Sequence, residues 1–174
     1  MLDAKIAIVT GAGSGLGEAI SLLFAKNGAT VVLADLDVDG AERVFRQIEK
    51  AGGKGRVVRT DVSKPDDAKA LVDAALEFGR LDIAVNNAGI GGPTAPVGEY
   101  PIDGWDKIIA INLSGVFYGM RYQIPAMLEN NGGAIVNMAS IAGKVGLPNA
   151  GGYTAAVICR ARADTCGGRP LPAL

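Results

Sequence analysis

Glycines stand at positions 11, 13, 15 and 17 within TGAGSGLG, residues 10–17. A turn this rich in glycine lets backbone amides approach an anion closely. A helix starting there presents free N–H groups and the positive end of its dipole. Leu16 occupies the third glycine's place of G-x-G-x-x-G, so the spacing is the variant TGxxxGxG. Asp35 follows 18 residues after Gly17. A carboxylate at that remove can accept hydrogen bonds from a ribose diol and would repel a 2′-phosphate. Ser14 and Leu36 offer no cation to such a phosphate. Together these residues point to NAD. Plainer readings stay open at this stage: a tight strand–helix turn for the glycines, and a strand-end carboxylate or helix cap for Asp35.

Composition removes several other chemistries. The chain has 174 residues and no histidine, which excludes Ser-His and Cys-His catalysis and His-ligated metal. Its two cysteines, Cys159 and Cys166, can build neither a Cys₄ zinc site nor a disulfide framework, so no metal site is expected. The net charge of −1 gives no field for nucleic acid or an anionic membrane. No run of about 18 apolar residues spans a membrane, and the start MLDAKIAIVTG lacks a signal-peptide pattern, so a cytoplasmic location is expected.

These residues need elements to hold them. Short β-branched runs alternate with amphipathic stretches. Strands are expected at residues 5–9, 30–34, 56–60, 81–85 and 134–138. Helices are expected at 16–27, with Ala19, Ile20, Leu23 and Phe24 inward, at 39–51, with Val44, Phe45 and Ile48 inward, and at 63–78, with Ser63 as N-cap. A long helix is expected over 100–129, bent or ended by Pro125. The alternation predicts an α/β fold, a doubly wound parallel sheet of Rossmann type. That sheet puts the glycine turn and Asp35 at its carboxyl edge.

The ordered motifs resemble the short-chain dehydrogenase/reductase family: TGAGSGLG, then Asp61-Val62 after the third strand, NNAG at 86–89, Asn112 in INLSG, Ser140 in NMAS, and Tyr153 in GGYTAA. The resemblance runs from Lys5 to about Ala156. It implies cofactor contacts from Gly11, Ser14, Gly15, Leu16, Gly17, Asp35, Asp61, Val62, Asn87, Ala88 and Gly89. It also implies hydride transfer between NAD(H) and a small secondary alcohol or ketone. Tyr153 would be general acid/base, Ser140 would bond the substrate oxygen, and Asn112 would hold a relay water. The family often forms dimers or tetramers, so a homo-oligomer is implied for the intact form.

The family pattern also calls for a lysine four residues after the tyrosine, whose charge favours the phenolate and which binds the nicotinamide ribose. Position 157 is Val157. From there to Leu174 the sequence departs from the family, and residues 158–166 show no clean helical face. We therefore expect a partial dinucleotide-binding and catalytic domain over 1–156 and an aberrant tail over 157–174, incomplete on the carboxyl-terminal side of the sheet. We expect a shifted reading frame to account for the break. Codons for VICRARADTCGGR exist that, read one base later, encode the family-like SSVVRGLTRAAAV. Low solubility, marginal stability and little turnover are expected of the chain as it stands. A catalytically impaired nucleotide-binding fragment is the alternative reading.

Overall fold

The sheet is organised around the run Ile6–Thr10, β1, in which every residue is buried. A strand covered on both faces belongs at the centre of a parallel sheet. The computed structural model describes residues 1–160. The elements after β1 are α1 (Gly15–Lys26), β2 (Thr30–Asp35), α2 (Val38–Lys50), β3 (Lys54–Arg59), α3 (Pro65–Leu76) and β4 (Ile83–Asn86). They continue with α4 (Ile102–Ile108), α5 (Gly115–Leu128), β5 (Ala134–Asn137) and α6 (Gly151–Arg160). The strand order is β3-β2-β1-β4-β5, with every pairing parallel. The chain returns to the centre and reverses direction between β3 and β4, so a crevice opens at the carboxyl ends of β1 and β4.

The pleat sorts the core into two layers. Ile6, Ile8, Val32 and Ala34 point to one face and meet Leu71, Val72 and Ala75 of α3 and Met127 of α5. Val9, Val31, Leu33 and Val85 point to the other and meet Val44 and Ile48 of α2. Among the described residues β5 pairs with β4 alone, and its Val136 is 48 % exposed, as an edge position would be.

Four details differ from the sequence reading. Ala19 and Leu23 (56 % exposed) face outward, while α1 turns Ile20, Leu22 and Phe24 onto the core beside its buried Gly17 and Ser21. Ser63 does not cap α3. Its hydroxyl donates to Asp61 Oδ1 (2.6 Å), and the helix starts at Pro65 after Lys64. Pro125 lies inside α5 without ending it. Pro125 and Arg121, whose carbonyl would have received the missing N–H, both sit on the exposed side. The helix after Tyr153 also continues through Val157 to Arg160, with Val157 and Arg160 buried. The rest of the proposed tail, including Cys166, lies outside the described residues.

Candidate active site

Thr10 sits where β1 ends, and its hydroxyl joins β1 to β4. Oγ1 accepts from the N–H groups of Asn87 (2.9 Å) and Ala88 (3.0 Å) and donates to the Val85 carbonyl (3.3 Å). Asn87 answers with its side chain, Nδ2 donating to the Thr10 carbonyl at 2.9 Å. The glycine turn and the NNAG segment are thus held side by side.

Within the turn, Gly15 has φ +55° and open space where a Cβ would point. Gly17 is the opposite case. A Cβ there would strike the Gly11 carbonyl oxygen, so only glycine lets α1 start this close to the turn. Ser14 occupies the N-cap of α1 but makes no side-chain cap bond, which leaves the first amides of the helix unclaimed by that side chain. Asp35 braces the turn from β2. Its Oδ2 accepts from Gly13 N (2.7 Å) and its Oδ1 from Asp37 N (3.0 Å). Asp37, not Asp35, is the N-cap of α2 and accepts from Gly40 N.

A groove of about 430 Å³ runs along this edge. Gly11, Ser14, Gly15, Leu16, Asp35, Asp61, Val62, Asn87, Ala88 and Gly89 all line it. Of the expected cofactor residues only Gly17 is absent from the lining, because it is buried beneath the turn. The groove offers amides at a helix N-terminus, a carboxylate at the β2 end and apolar Leu16 and Leu36 at its rim, a donor set that fits a dinucleotide. Arg43 reaches the back of the turn, but its guanidinium is spent on Glu18 (2.8 and 2.6 Å) and the Gly13 carbonyl (3.0 Å). That hydrogen bond holds the Glu18 carboxyl below its ordinary range and Arg43 above its own. The Ser63 hydroxyl, seconded by the Ser63 N–H and the charges of Lys64 and Arg59, likewise holds Asp61 down against its partial burial.

The other candidate residues stand on elements that pack together beyond NNAG. Asn112 is 1 % exposed and sits in a π-helical stretch, Ile109–Ser114, that joins α4 to α5. Such a stretch adds a residue to one turn and re-aims its side chains. The Asn112 amide clamps the loop after β4: Oδ1 accepts from Ile90 N (2.9 Å) and Nδ2 donates to Ile90 O (2.8 Å). Ser140 follows β5 and caps a short 3-10 turn, its Oγ accepting from Ala142 N at 3.2 Å. Tyr153 is the third residue of α6, which packs on both the π stretch and that 3-10 turn. A bridge between Ala95 and Ala150, with Ala95 N donating to Asn149 O (2.9 Å), ties the loop after NNAG to the start of α6.

Three features escaped the sequence reading. One is the Thr10 staple, whose only signal was a threonine before the first glycine. Another is a buried amide network: Asn86 and Gln123 exchange hydrogen bonds (3.0 and 2.9 Å), and Asn86 Nδ2 donates to Asn137 Oδ1 (2.8 Å), joining β4, α5 and β5. The third is Arg160, whose spacing from Tyr153 placed it on the same helix face.

The sequence profile described as short chain dehydrogenase matches residues 5–157. The chain belongs to the short chain dehydrogenase family. It is similar to the cyclohexanol dehydrogenase of Acinetobacter sp. strain SE19, 46 % identical over 153 residues, 87 % of this chain and 61 % of that protein. It is also similar to the 3beta-hydroxysteroid dehydrogenase of Mediterraneibacter gnavus, 44 % identical over 88 % of this chain and 55 % of that one. Among solved structures, a family member from Burkholderia phymatum in complex with NAD superposes with a TM-score of 0.91 at 38 % identity, covering 94 % of this chain and 59 % of that one. A metagenomic family member in complex with NADP superposes with a TM-score of 0.90 at 36 % identity, covering 94 % and 75 %. The chain spans about three fifths of the length of the curated relatives it matches. No helix among the described residues is long and apolar enough to cross a membrane.

Proposed function

We propose that this chain binds NAD in the groove and, within a short chain dehydrogenase, serves hydride transfer between NAD(H) and a small secondary alcohol or ketone. One observation carries the reading: the groove is lined by the glycine turn, Asp35, Asp61-Val62 and Asn87–Gly89 together. Asp35 keeps an oxygen lone pair free for the adenosine ribose diol and repels a 2′-phosphate, which favours NAD over NADP. NAD supplies the hydride donor or acceptor, and this chain's side chains handle orientation and the proton.

Tyr153 gives the proton to, or takes it from, the substrate oxygen. The Ser140 hydroxyl accepts from Ala142 N, so its own hydrogen is available to the substrate oxygen as charge develops there. Asn112 spends its Nδ2 and one Oδ1 lone pair on Ile90, and the second lone pair is where a relay water would be held. Relatives named for cyclohexanol and for cis-4-hydroxycyclohexanecarboxylate support a cyclic secondary alcohol within the substrate class.

Calorimetric titration with NADH and NADPH tests the cofactor reading. NADH should bind more tightly, and Asp35→Ala should weaken it about tenfold or more, the worth of a charge-assisted hydrogen bond. Equal binding of the two nucleotides would sink the NAD assignment, and no binding of either would sink the groove. A second reading, a nucleotide-binding fragment without turnover, is favoured by Val157, which is 2 % exposed on the Tyr153 face of α6. Binding of NADH with no NADH formed from NAD and cyclohexanol, together with gain of turnover in Val157→Lys, would select it.

A further inference from the structure

A carboxylate and a guanidinium grip the backbone of Gly13 at its two ends. Its N–H donates to Asp35 Oδ2 (2.7 Å), and its carbonyl accepts from Arg43 Nη2 (3.0 Å). The two bonds fix different peptide units. Asp35 sets the unit before the Gly13 α-carbon, and Arg43 sets the one after it. Between them stands a residue without a Cβ, whose backbone rotates more freely than any other. Helix α2 comes close enough to act on this point because Gly40 lacks a side chain: a Cβ there would lie 3.1 Å from the Gly13 carbonyl oxygen. Arg43 follows about one turn later and supplies the donor. The guanidinium is itself oriented. Glu18, in the first turn of α1, takes Nη1 on Oε1 (2.8 Å) and Nη2 on Oε2 (2.6 Å), a bidentate pairing. A surface pair of this kind, with Arg43 half-exposed, adds little to global stability. Its effect on the turn is local. The Gly13 carbonyl and the Ser14 N–H belong to one planar trans unit, so they point in opposite directions. With the carbonyl turned back onto Arg43, the Ser14 N–H is turned forward. Ser14 lines the groove whereas Gly13 does not, and the Ser14 N–H donates to no group among the described residues.

We propose that Arg43, oriented by Glu18, is a positioning residue for the cofactor: it holds the Gly13 carbonyl behind the turn and so aims the Ser14 N–H at an oxygen of the bound dinucleotide. The proposal rests on the reading of the groove as a nucleotide site. It makes α2 part of that site without any α2 side chain touching the ligand. The planar guanidinium suits the task, because one rigid fork serves the carboxylate and the carbonyl together. An ammonium offers the same charge with less fixed geometry.

Two measurements on the full chain test it, with Arg43→Met and Arg43→Lys beside the parent. The first is backbone nitrogen-15 relaxation without nucleotide. In the parent the Ser14 amide should be as ordered as β1, with an order parameter of about 0.85. In Arg43→Met it should fall toward about 0.6 while β1 and β4 keep their values. The second is calorimetric titration with NADH. Arg43→Met should weaken binding about three- to tenfold, the worth of one hydrogen bond, while its urea midpoint stays close to that of the parent. Arg43→Lys should recover at least half of both losses. Removal of a merely structural surface pair would move neither readout. An unchanged Ser14 order parameter in Arg43→Met overturns the proposal, and so does an unchanged NADH affinity beside a loosened turn. The relaxation arm needs no nucleotide, which separates the two readings. A parent that binds no NADH sinks the cofactor reading, and the Ser14 order parameter then decides for or against Arg43 by itself.

Discussion

Replacing Thr10 by valine removes one hydroxyl and almost no volume, yet it should cost more stability than most single changes in this chain. The side chain is 4 % exposed, and its oxygen serves three groups: the Asn87 and Ala88 N–H donors and the Val85 carbonyl. Valine orphans both donors. An unsatisfied buried donor costs about 1–3 kcal/mol, and because Asn87 and Ala88 line an open groove where water can reach them, the lower half of that range applies to each, giving about 2–4 kcal/mol in all. With a urea dependence of about 2 kcal/mol per molar, the unfolding midpoint should fall by roughly 1–2 M. Thr10→Ser is the control. It keeps the hydroxyl and loses a methyl, worth about 0.8 kcal/mol. The same valine should weaken NADH binding, since the staple sets the spacing between the glycine turn and Ala88. If Thr10→Val unfolds at the same urea concentration as Thr10→Ser, the staple is not holding the edge and the reasoning fails.

Other outcomes follow from the same structure. Gly17→Ala should destabilise by about 1–3 kcal/mol, read by thermal melting, because the added methyl meets the Gly11 carbonyl and the Asn87 amide. Asp82→Ala should cost about 3 kcal/mol, read by urea unfolding, since it strands the Ile6 N–H and two cations; the figure sits at the low end because Lys5 and Arg80 are 35 % and 43 % exposed. Asp61 is held below its usual range, so its contribution to stability is present above about pH 4 and disappears as the pH falls through its lowered folded value. The difference in melting temperature between the parent and Ser63→Ala should accordingly narrow on going from pH 7 to about pH 3, and a constant difference would contradict that coupling. Sequencing the encoding DNA past codon 156 should show a family-like continuation in a shifted frame.

The periodicities of the sequence located all five strands and the flanking helices, because a parallel sheet covered on both faces demands short apolar runs and its helices demand an apolar stripe. Local chemistry was legible too. Glycine density marked the turn between β1 and α1, and Asp35 at the end of the second strand marked another wall of the same groove. What misled was competition between partners that single-residue rules do not rank. Ser63 satisfied the local rule for a helix cap, yet its hydroxyl was taken by Asp61. Leu23 fitted the helical stripe, yet α1 turns Ile20, Leu22 and Phe24 to the core and leaves Leu23 outside.

Residue type and spacing alone therefore specify the fold class, the groove residues and the absence of histidine chemistry, since each depends on a few neighbouring positions. Tertiary structure decides which polar groups pay for one another. Thr10 meets Asn87, Asn112 meets Ile90, and Arg160 meets Asn86 and Ala88 only after β1, β4, the π turn and α6 have packed. Arg160 shows the difference most clearly. In the sequence it is one of several arginines past the family pattern; in the fold, burial strips its water and places its charge on the face of α6 that carries Tyr153.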